Sequence, residues 1–231
     1  MSVEWTVRST VWGLYWTVKS NMRRTIVTDT ISRPLTAKGA RTRARIVAAA
    51  APLMVERGVA SVSLDEVGRA TSTSKSQMYH YFESKDQLVV AVVEHVGDEI
   101  LAFQGSLLDE MESLDDVERW ADAVVAYQRQ GDAFCGCPLG TLASQLSGDP
   151  LHPQRQIERA FATWEELLEK GLTRMVANGR LVTDADPHRL AVSTLAALQG
   201  GLLMSKATQD ESALRIPLDA AVDYLRGFLA E

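Results

Sequence analysis

The chain has 231 residues, of which 46% are hydrophobic and 23% are charged, close to an ordinary soluble globular protein. This length corresponds to one or two domains and is enough to bury a substantial core. Only two cysteines are present, Cys135 and Cys137, which excludes a secreted disulfide framework and favours a reducing, cytoplasmic compartment. No apolar run approaches the roughly 18 residues that span a bilayer, so no membrane association is expected.

The net charge of −6 is unevenly distributed along the chain. Residues 1–45 carry nine basic and two acidic side chains, a net charge of +7. Residues 46–90 carry a net charge of −1, and residues 91–231 carry −12. A basic front on an acidic body is typical of a protein whose N-terminal end meets a polyanion. A solvated basic tail is the alternative interpretation.

The first 38 residues are predicted to form a basic, flexible N-terminal segment. The short apolar stretch at residues 11–18 is not expected to be a signal peptide, because Glu4 precedes Arg8 in place of a positively charged leading region and no small-residue cleavage site follows. Met22, followed by two arginines, would make an alternative beginning of the protein. Residues 22–38 are polar and basic and contain Pro34, as a mobile lead-in would.

From about residue 39 a helical period of 3.6 dominates, which predicts an all-α fold of about nine helices. The stripe from Leu88 to Met111 predicts one long helix, and Pro52 predicts a kink or a stressed turn within the first helix. The predicted boundaries are Gly58, Gly131 and Gly179 as helix ends, Ser63, Ser74 and Ser84 as N-caps of three capping boxes, Pro138, Pro153 and Asp186 as further starts, and Pro217 near the start of the last helix.

Two short predicted helices, at residues 64–70 and 74–81, are joined by a tight turn, which is the helix-turn-helix arrangement. Gln77 either pairs with an adenine edge or, at the third position of its capping box, caps its own helix. The side chains suited to hold phosphates are Ser63, Lys75, Tyr79 and Lys85. His80 either contacts phosphate or lies against Tyr81. Arg43 either steers phosphate or pairs with an acid of the body.

The run from Thr42 to Leu88 resembles the DNA-binding head of the TetR family of transcriptional regulators. The resemblance covers about residues 41–90 and includes the spacing Tyr79, Phe82, Ser84-Lys85 and Leu88. It implies that residues 74–81 are the recognition helix and that Lys75, Tyr79 and Lys85 hold backbone phosphates. The predicted DNA-binding set is Arg43, Ser63, Thr73, Ser74, Lys75, Ser76, Gln77, Tyr79, His80 and Lys85. The resemblance also implies a head at residues 39–90 and a helical ligand-binding and dimerisation domain at residues 91–231.

The sequence departs from the family pattern in the turn before the recognition helix. The usual Ala-Gly-Val is Thr71-Ser72-Thr73 here, and Ser76 replaces a common glycine. Ser72 must therefore adopt a conformation that glycine normally eases, which affects the fine placement of the recognition helix rather than the fold.

The last two helices carry apolar and small residues on more than one face, which predicts burial between two copies of the chain, with the core of a single chain as the alternative. The predicted dimer residues are Leu195, Leu198, Leu202, Val222, Leu225 and Leu229. A two-fold dimer requires a pseudo-palindromic DNA site. The predicted effector-pocket residues, each of which could instead be core, are Trp120, Tyr127, Phe134, Phe161, Trp164 and Met175. Few charges lie on these stripes, so an apolar or aromatic small molecule is preferred.

The segment Phe134 to Gly140 contains both cysteines. Cys137 precedes Pro138 at a predicted helix N-terminus, where backbone N–H groups favour thiolate. The two cysteines could have a structural role, act as a redox switch or bind a metal, and similar turns in some members of the TetR family support the structural role. The leading function is a dimeric repressor that a small ligand releases from DNA, and the alternative is a redox-responsive repressor using Cys135 and Cys137. No catalytic motif supports an enzyme, and no cofactor or metal is predicted.

Overall fold

A computed structural model describes residues 35–129, 134–147 and 153–230. The described chain contains α1 (Ala37–Arg57), α2 (Leu64–Ala70), α3 (Lys75–Tyr81), α4 (Lys85–Asp109), α5 (Leu114–Gln128), α6 (Pro138–Leu146), α7 (Gln154–Ala177), α8 (Pro187–Thr208) and α9 (Ser212–Arg226). A single 3₁₀ turn, Val59–Ser61, follows α1. The predicted all-α class and the number of helices are confirmed. The predicted helix end at Gly131 and most of the predicted flexible segment lie outside the described residues.

The first three helices form a small core with the start of α4. Ile46 and Met54 of α1, Val67 of α2 and Met78 of α3 are all fully buried, and so is Leu88 at the start of α4. Gly68 lets α2 and α3 approach closely, because a Cβ there would lie 3.0 Å from both Met78 Cγ and the Thr73 carbonyl oxygen. This close contact fixes how α3 packs against α2.

Serine caps begin the helices of the head where the sequence predicts them. Ser63, Ser74 and Ser84 each accept a hydrogen bond from the backbone N–H three residues later. Only Ser74 belongs to a reciprocal capping box, with Gln77 accepting from the Ser74 N–H at 3.2 Å. At Ser84 the returning glutamine instead accepts from the N–H of Glu83. All three serines therefore begin helices as predicted, but the full capping box forms only at Ser74 and not at Ser63 or Ser84.

The remaining helices pack into a longer bundle on the head. Gly97 of α4 meets α7 closely, since a Cβ there would lie 3.1 Å from Ala160 Cβ. The far end of α4 is held by Arg174 of α7, which donates to the carbonyls of Leu108 and Asp109 at 2.8 Å and to that of Met111 at 3.2 Å. The Leu108 carbonyl also accepts the backbone N–H of Met111 at 3.3 Å, and the Arg174 guanidinium adds a side-chain cap to this helix end.

The last two helices form a hairpin across a turn at Gln209, whose φ is +55°. Gly201 allows them to cross closely, because a Cβ there would lie 3.1 Å from Leu214 Cα. α9 begins at Ser212, so Pro217 lies inside the helix rather than near its start. Leu229 lies beyond α9, in an isolated antiparallel bridge with Leu181. The prediction that Leu229 belongs to the last helix is wrong.

Candidate functional site

The short helix α3, which the family resemblance predicts to be the recognition helix, turns its polar side chains outward. Ser74, Ser76, Gln77 and His80 are exposed, while Met78 anchors the helix in the head. The Gln77 amide oxygen accepts the Ser74 N–H, so Gln77 caps its own helix. Both sequence interpretations of Gln77 remain compatible with this arrangement, because base contact would require the cap to open or to use the amide nitrogen.

The two predicted phosphate-binding lysines are engaged within the head. Lys75 Nζ lies 3.7 Å from the Asp65 carboxylate, and both side chains are largely exposed. Lys85 Nζ donates to the Ala60 carbonyl oxygen at 3.0 Å. Tyr79 is 46% exposed, and Lys75 Nζ lies 6.0 Å from the centre of its ring. A phosphate at this surface would therefore replace existing partners of the lysines rather than meet free charges.

Three other predicted contacts have identifiable local partners. The Arg43 guanidinium stacks over the Phe82 ring at 5.1 Å rather than pairing with an acid. His80 lies edge-on to Tyr81, with ring centres 5.1 Å apart, as the second interpretation of His80 expects. Ser63 caps α2 through its hydroxyl oxygen.

Thr73 is the one predicted DNA contact that the structure turns inward. Its residue is 7% exposed, and its hydroxyl bonds with the Thr71 hydroxyl at 2.9 Å. The Thr71 hydroxyl donates in turn to the Val67 carbonyl at 2.8 Å. This prediction is corrected: Thr73 holds the turn and presents no side chain to a groove. The adjacent Ser72 has a φ of +51°, the conformation that the missing glycine of the family pattern predicts.

A cavity of about 110 Å³ opens in the body, between α4, α5, the start of α6, α7 and α8. Its lining residues are Val96, Glu99, Ile100, Phe103, Gln104, Val124, Tyr127, Gln128, Gly136, Cys137, Pro138, Trp164 and Leu202. Phe103 and Tyr127 stack on one another with ring centres 4.6 Å apart, and both are partly exposed. Trp164 is 2% exposed, so the aromatic pair marks the mouth of the cavity and Trp164 its inner wall.

Two of the six predicted pocket residues line this cavity, namely Tyr127 and Trp164. Trp120 and Met175 are fully buried away from its surface, and Phe134 and Phe161 are half-buried outside it. The prediction is therefore wrong for four residues, because aromatic identity on an inner face does not separate a cavity wall from a filled core.

Sequence reasoning missed the polar members of the cavity wall. Gln104 and Gln128 are each 5% exposed, and both interrupt helices that are otherwise apolar on that face. Gln128 bonds both ends of its amide to the backbone of Gly136, at 3.2 and 3.3 Å. A buried glutamine within an apolar stripe was the available signal, because buried amides need hydrogen-bonding partners.

The Cys137 thiol does not have the lowered pKa that its place at a helix N-terminus suggests. Cys137 caps α6, and its sulfur accepts the Gly140 N–H at 3.3 Å. Burial nevertheless raises the pKa of the Cys137 thiol above its ordinary value, and outweighs the hydrogen bonds that favour thiolate. The expectation of a lowered pKa is wrong. Cys135 is exposed and Cys137 is buried, and neither is in a disulfide.

One group of side chains within the described residues could hold a metal ion, although no metal was predicted. Glu165, Glu169 and His188 place ligand atoms within 4.8 Å of one another. The His188 Nδ1 lies 3.3 and 3.2 Å from the two carboxylates, so the same geometry is explained as an ion pair on the surface of α7 and α8.

The predicted dimer residues are buried inside one chain. Leu195, Leu198, Leu202, Val222 and Leu225 are at most 7% exposed, because they pack between α8, α9 and the body. They have no surface left for a partner, so the prediction is corrected. Leu229, outside the helices, is 40% exposed.

A different set of apolar side chains on α8 and α9 faces outward. The outward stripes contain Val192, Ala196, Gly200 and Leu203 on α8, and Ile216, Ala220 and Tyr224 on α9. Leu203 and Ile216 are each 66% exposed. Among the described helices, α8 is also the one whose length and apolar composition would suffice to cross a membrane, a property shared by core helices of soluble proteins.

Among the described residues, one side-chain hydrogen bond joins α6 to the head. Gln145, near the end of α6, accepts the N–H of Val59 in the 3₁₀ turn at 2.9 Å. The same helix begins at Pro138, which lines the cavity. Two helices therefore connect the head to the cavity wall: α4 runs through both, and α6 begins at the cavity and bonds to the head near its end.

Comparison with known proteins identifies the family. Residues 46–92 match the sequence profile described as "Bacterial regulatory proteins, tetR family", and residues 113–219 match that of the "Transcriptional regulator LmrA/YxaF-like, C-terminal domain". An HTH-type transcriptional regulator of Mycobacterium bovis, Mb3439c, is 30% identical over 159 residues, which are 68% of this chain and 70% of that protein. The chain belongs to the TetR family of transcriptional regulators.

Two further similarities extend over most of the chain. An HTH-type transcriptional regulator in the lacX 3′ region of Lactococcus lactis is 27% identical over 183 residues, covering 77% of this chain and 90% of the relative. The crystal structure of a TetR-family transcriptional regulator from Cytophaga hutchinsonii has a TM-score of 0.72 at 20% identity, covering 86% of this chain and 100% of that one. The fold of both head and body is thus that of the family, which is not an enzyme family.

Proposed function

We propose that this TetR-family protein is a cytoplasmic, dimeric repressor that a small apolar or aromatic molecule releases from a palindromic operator. The proposal divides the chain into a DNA-binding head at residues 39–90 and a ligand-binding and dimerisation body at residues 91–231. The observation that carries it is the connection of an outward-facing, capped recognition helix to an apolar cavity through α4 and α6. A ligand that alters the packing at the cavity can bias the head only through such shared rigid elements.

DNA binding is supported by the exposed chemistry of α3 and its surroundings. Lys75, the first residue of α3, and Tyr79, one turn later, face solvent, and Lys85 lies at the start of α4. Cations and helix N–H groups together suit phosphate oxygens. To bind phosphate, Lys75 must give up its contact with Asp65, and Lys85 must give up its hydrogen bond to the Ala60 carbonyl. The free energy of non-specific DNA binding is therefore smaller than the formal charges of the head indicate.

The dimer in this proposal uses the outward stripes of α8 and α9. Their apolar side chains, Leu203 and Ile216 above all, are exposed in one chain, and small residues between them allow close helix approach. Two copies meeting through these stripes would bury an apolar surface that is otherwise unfavourable in water. A two-fold dimer then presents two α3 helices to successive major grooves.

The test is binding of a fluorescein-labelled duplex from the DNA flanking the protein's own gene, measured by anisotropy across a series of salt concentrations. We expect specific binding. The logarithm of the association constant should fall linearly with the logarithm of the salt concentration, with a slope of about −0.9 for each neutralised phosphate. Lys75→Gln should weaken binding and reduce that slope by about one unit. Lys170→Gln, on the exposed face of α7, is the matched control and should change neither. A flat salt response, or equal effects of the two substitutions, would contradict the proposal.

A further inference from the structure

Gln104 is the meeting point of three helices at the inner end of the cavity. Its amide oxygen on α4 accepts the indole N–H of Trp120 on α5 at 2.8 Å and that of Trp164 on α7 at 3.1 Å. An indole nitrogen can only donate a hydrogen bond, so the atom between the two indoles must be the amide oxygen. The orientation of the Gln104 amide is thereby fixed.

This orientation leaves the amide nitrogen of Gln104 with two donors and no hydrogen-bonding partner among the residues that the structure describes. The residue is 5% exposed and lines the cavity. Gln128, the other buried glutamine of the wall, uses both ends of its amide on Gly136. Gln104 Nε2 is therefore a donor on the cavity wall that a hydrogen-bond acceptor on a ligand can satisfy.

The rest of the cavity restricts the charge and shape of the ligand. Phe103, Tyr127 and Trp164 present aromatic surfaces, which favour a flat apolar molecule. Glu99 is at the mouth, with its side chain 66% exposed, and its negative charge disfavours an anion. A cavity of about 110 Å³ has room for a single ring, with any longer part extending through the mouth.

We propose that the cavity takes a neutral, single-ring aromatic molecule bearing a carbonyl oxygen, and that Gln104 Nε2 donates a hydrogen bond to that oxygen. The inference rests on the proposed role of this cavity as the effector site. Trp120 and Trp164 act as positioning residues, because they hold the Gln104 oxygen and so aim its nitrogen at the ligand.

The test compares two probes of similar shape on the full chain without DNA, by isothermal titration calorimetry. Acetophenone carries the carbonyl oxygen, and ethylbenzene lacks it. Gln104→Met preserves side-chain length but removes both the Nε2 donor and the amide oxygen that accepts from the two indoles. Gln154→Glu on the exposed face of α7 is the control variant. We expect Gln104→Met to weaken acetophenone about fivefold to tenfold relative to ethylbenzene, whose own affinity changes little. The control should leave both affinities unchanged.

The ratio of the acetophenone affinity to the ethylbenzene affinity separates loss of the hydrogen bond from general loosening of the cavity, because loosening would weaken the binding of both probes alike. Equal weakening of both probes by Gln104→Met, or no binding of either probe to the parent protein, would overturn the inference. If Gln104→Met does not fold, benzoate serves as the second probe on the parent protein: weaker binding than acetophenone supports the inference, and equal or tighter binding overturns it. Operator binding is measured separately, so its absence would refute the repressor proposal without altering the probe result.

Discussion

Replacement of Ser72 by glycine is expected to stabilise the protein. Ser72 has a φ of +51° in the turn between α2 and α3, and it is exposed. A non-glycine residue in the left-handed region costs about 1–2 kcal/mol. Glycine removes that cost but adds freedom to the unfolded chain worth about 0.4–1 kcal/mol. The net expectation is a gain of roughly 0.5–1 kcal/mol in the free energy of unfolding, or about 1–4 °C in Tm for a chain of this size.

Gln209 is the matched control, because its φ is +55°. Its side chain, unlike that of Ser72, is tied into the fold: it accepts the Phe134 N–H at 3.1 Å and donates to the Lys206 carbonyl at 2.7 Å. Gln209→Gly should therefore destabilise by about 1 kcal/mol or more, since the lost hydrogen bonds exceed the relief of the backbone.

Both variants are compared with the parent protein by thermal and urea unfolding, followed by far-ultraviolet circular dichroism at one protein concentration. Opposite signs for Ser72→Gly and Gln209→Gly are the expected result. A lower Tm for Ser72→Gly would refute the reasoning, because it would show that the serine at this turn contributes more than its backbone conformation costs.

Three further predictions concern the head, the cysteines and the dimer surface. Gly68→Ala should displace α3 and weaken operator binding, since the added Cβ would lie 3.0 Å from the Thr73 carbonyl oxygen, but it should leave ligand binding in the cavity unchanged. Anisotropy would measure the DNA affinity and calorimetry the ligand affinity, and an unaltered DNA affinity would contradict the prediction. Because burial raises the Cys137 pKa, its alkylation by iodoacetamide in Cys135→Ser should be slow at neutral pH and rise only at a pH above the usual thiol range; rapid labelling at pH 7 would favour the redox alternative. Ile216→Glu should yield monomers in analytical ultracentrifugation.

The sequence predicts local starts well because a helix cap is a local interaction. The cap serines 63, 74 and 84 lie within three residues of the N–H groups they bind, and the positive φ of Ser72 follows from a missing glycine in the same turn. These features need no knowledge of the rest of the molecule.

Faces of helices were harder to assign, because periodicity shows that a face is apolar but not what covers it. Leu198 and Leu203 both lie on α8, yet the first is fully buried in its own chain and the second is 66% exposed. The same limit applies to the cavity. Trp120 fills the core whereas Trp164 lines the cavity, and the distinction depends on how α4, α5 and α7 meet at Gln104.

The cap that Arg174 places on the end of α4 also makes that helix a lever. Gln104 lies four residues before Leu108, whose carbonyl Arg174 holds, and Lys85 lies 23 residues before it. At about 1.5 Å per residue, the two arms measure roughly 6 Å and 35 Å. A rotation about the capped end that moves Gln104 by about 0.5 Å would carry the Lys85 end by about 3 Å. Such a distance exceeds the tolerance of a hydrogen bond to phosphate, so a displacement of about 0.5 Å at the cavity wall would suffice to move the Lys85 end out of register with DNA.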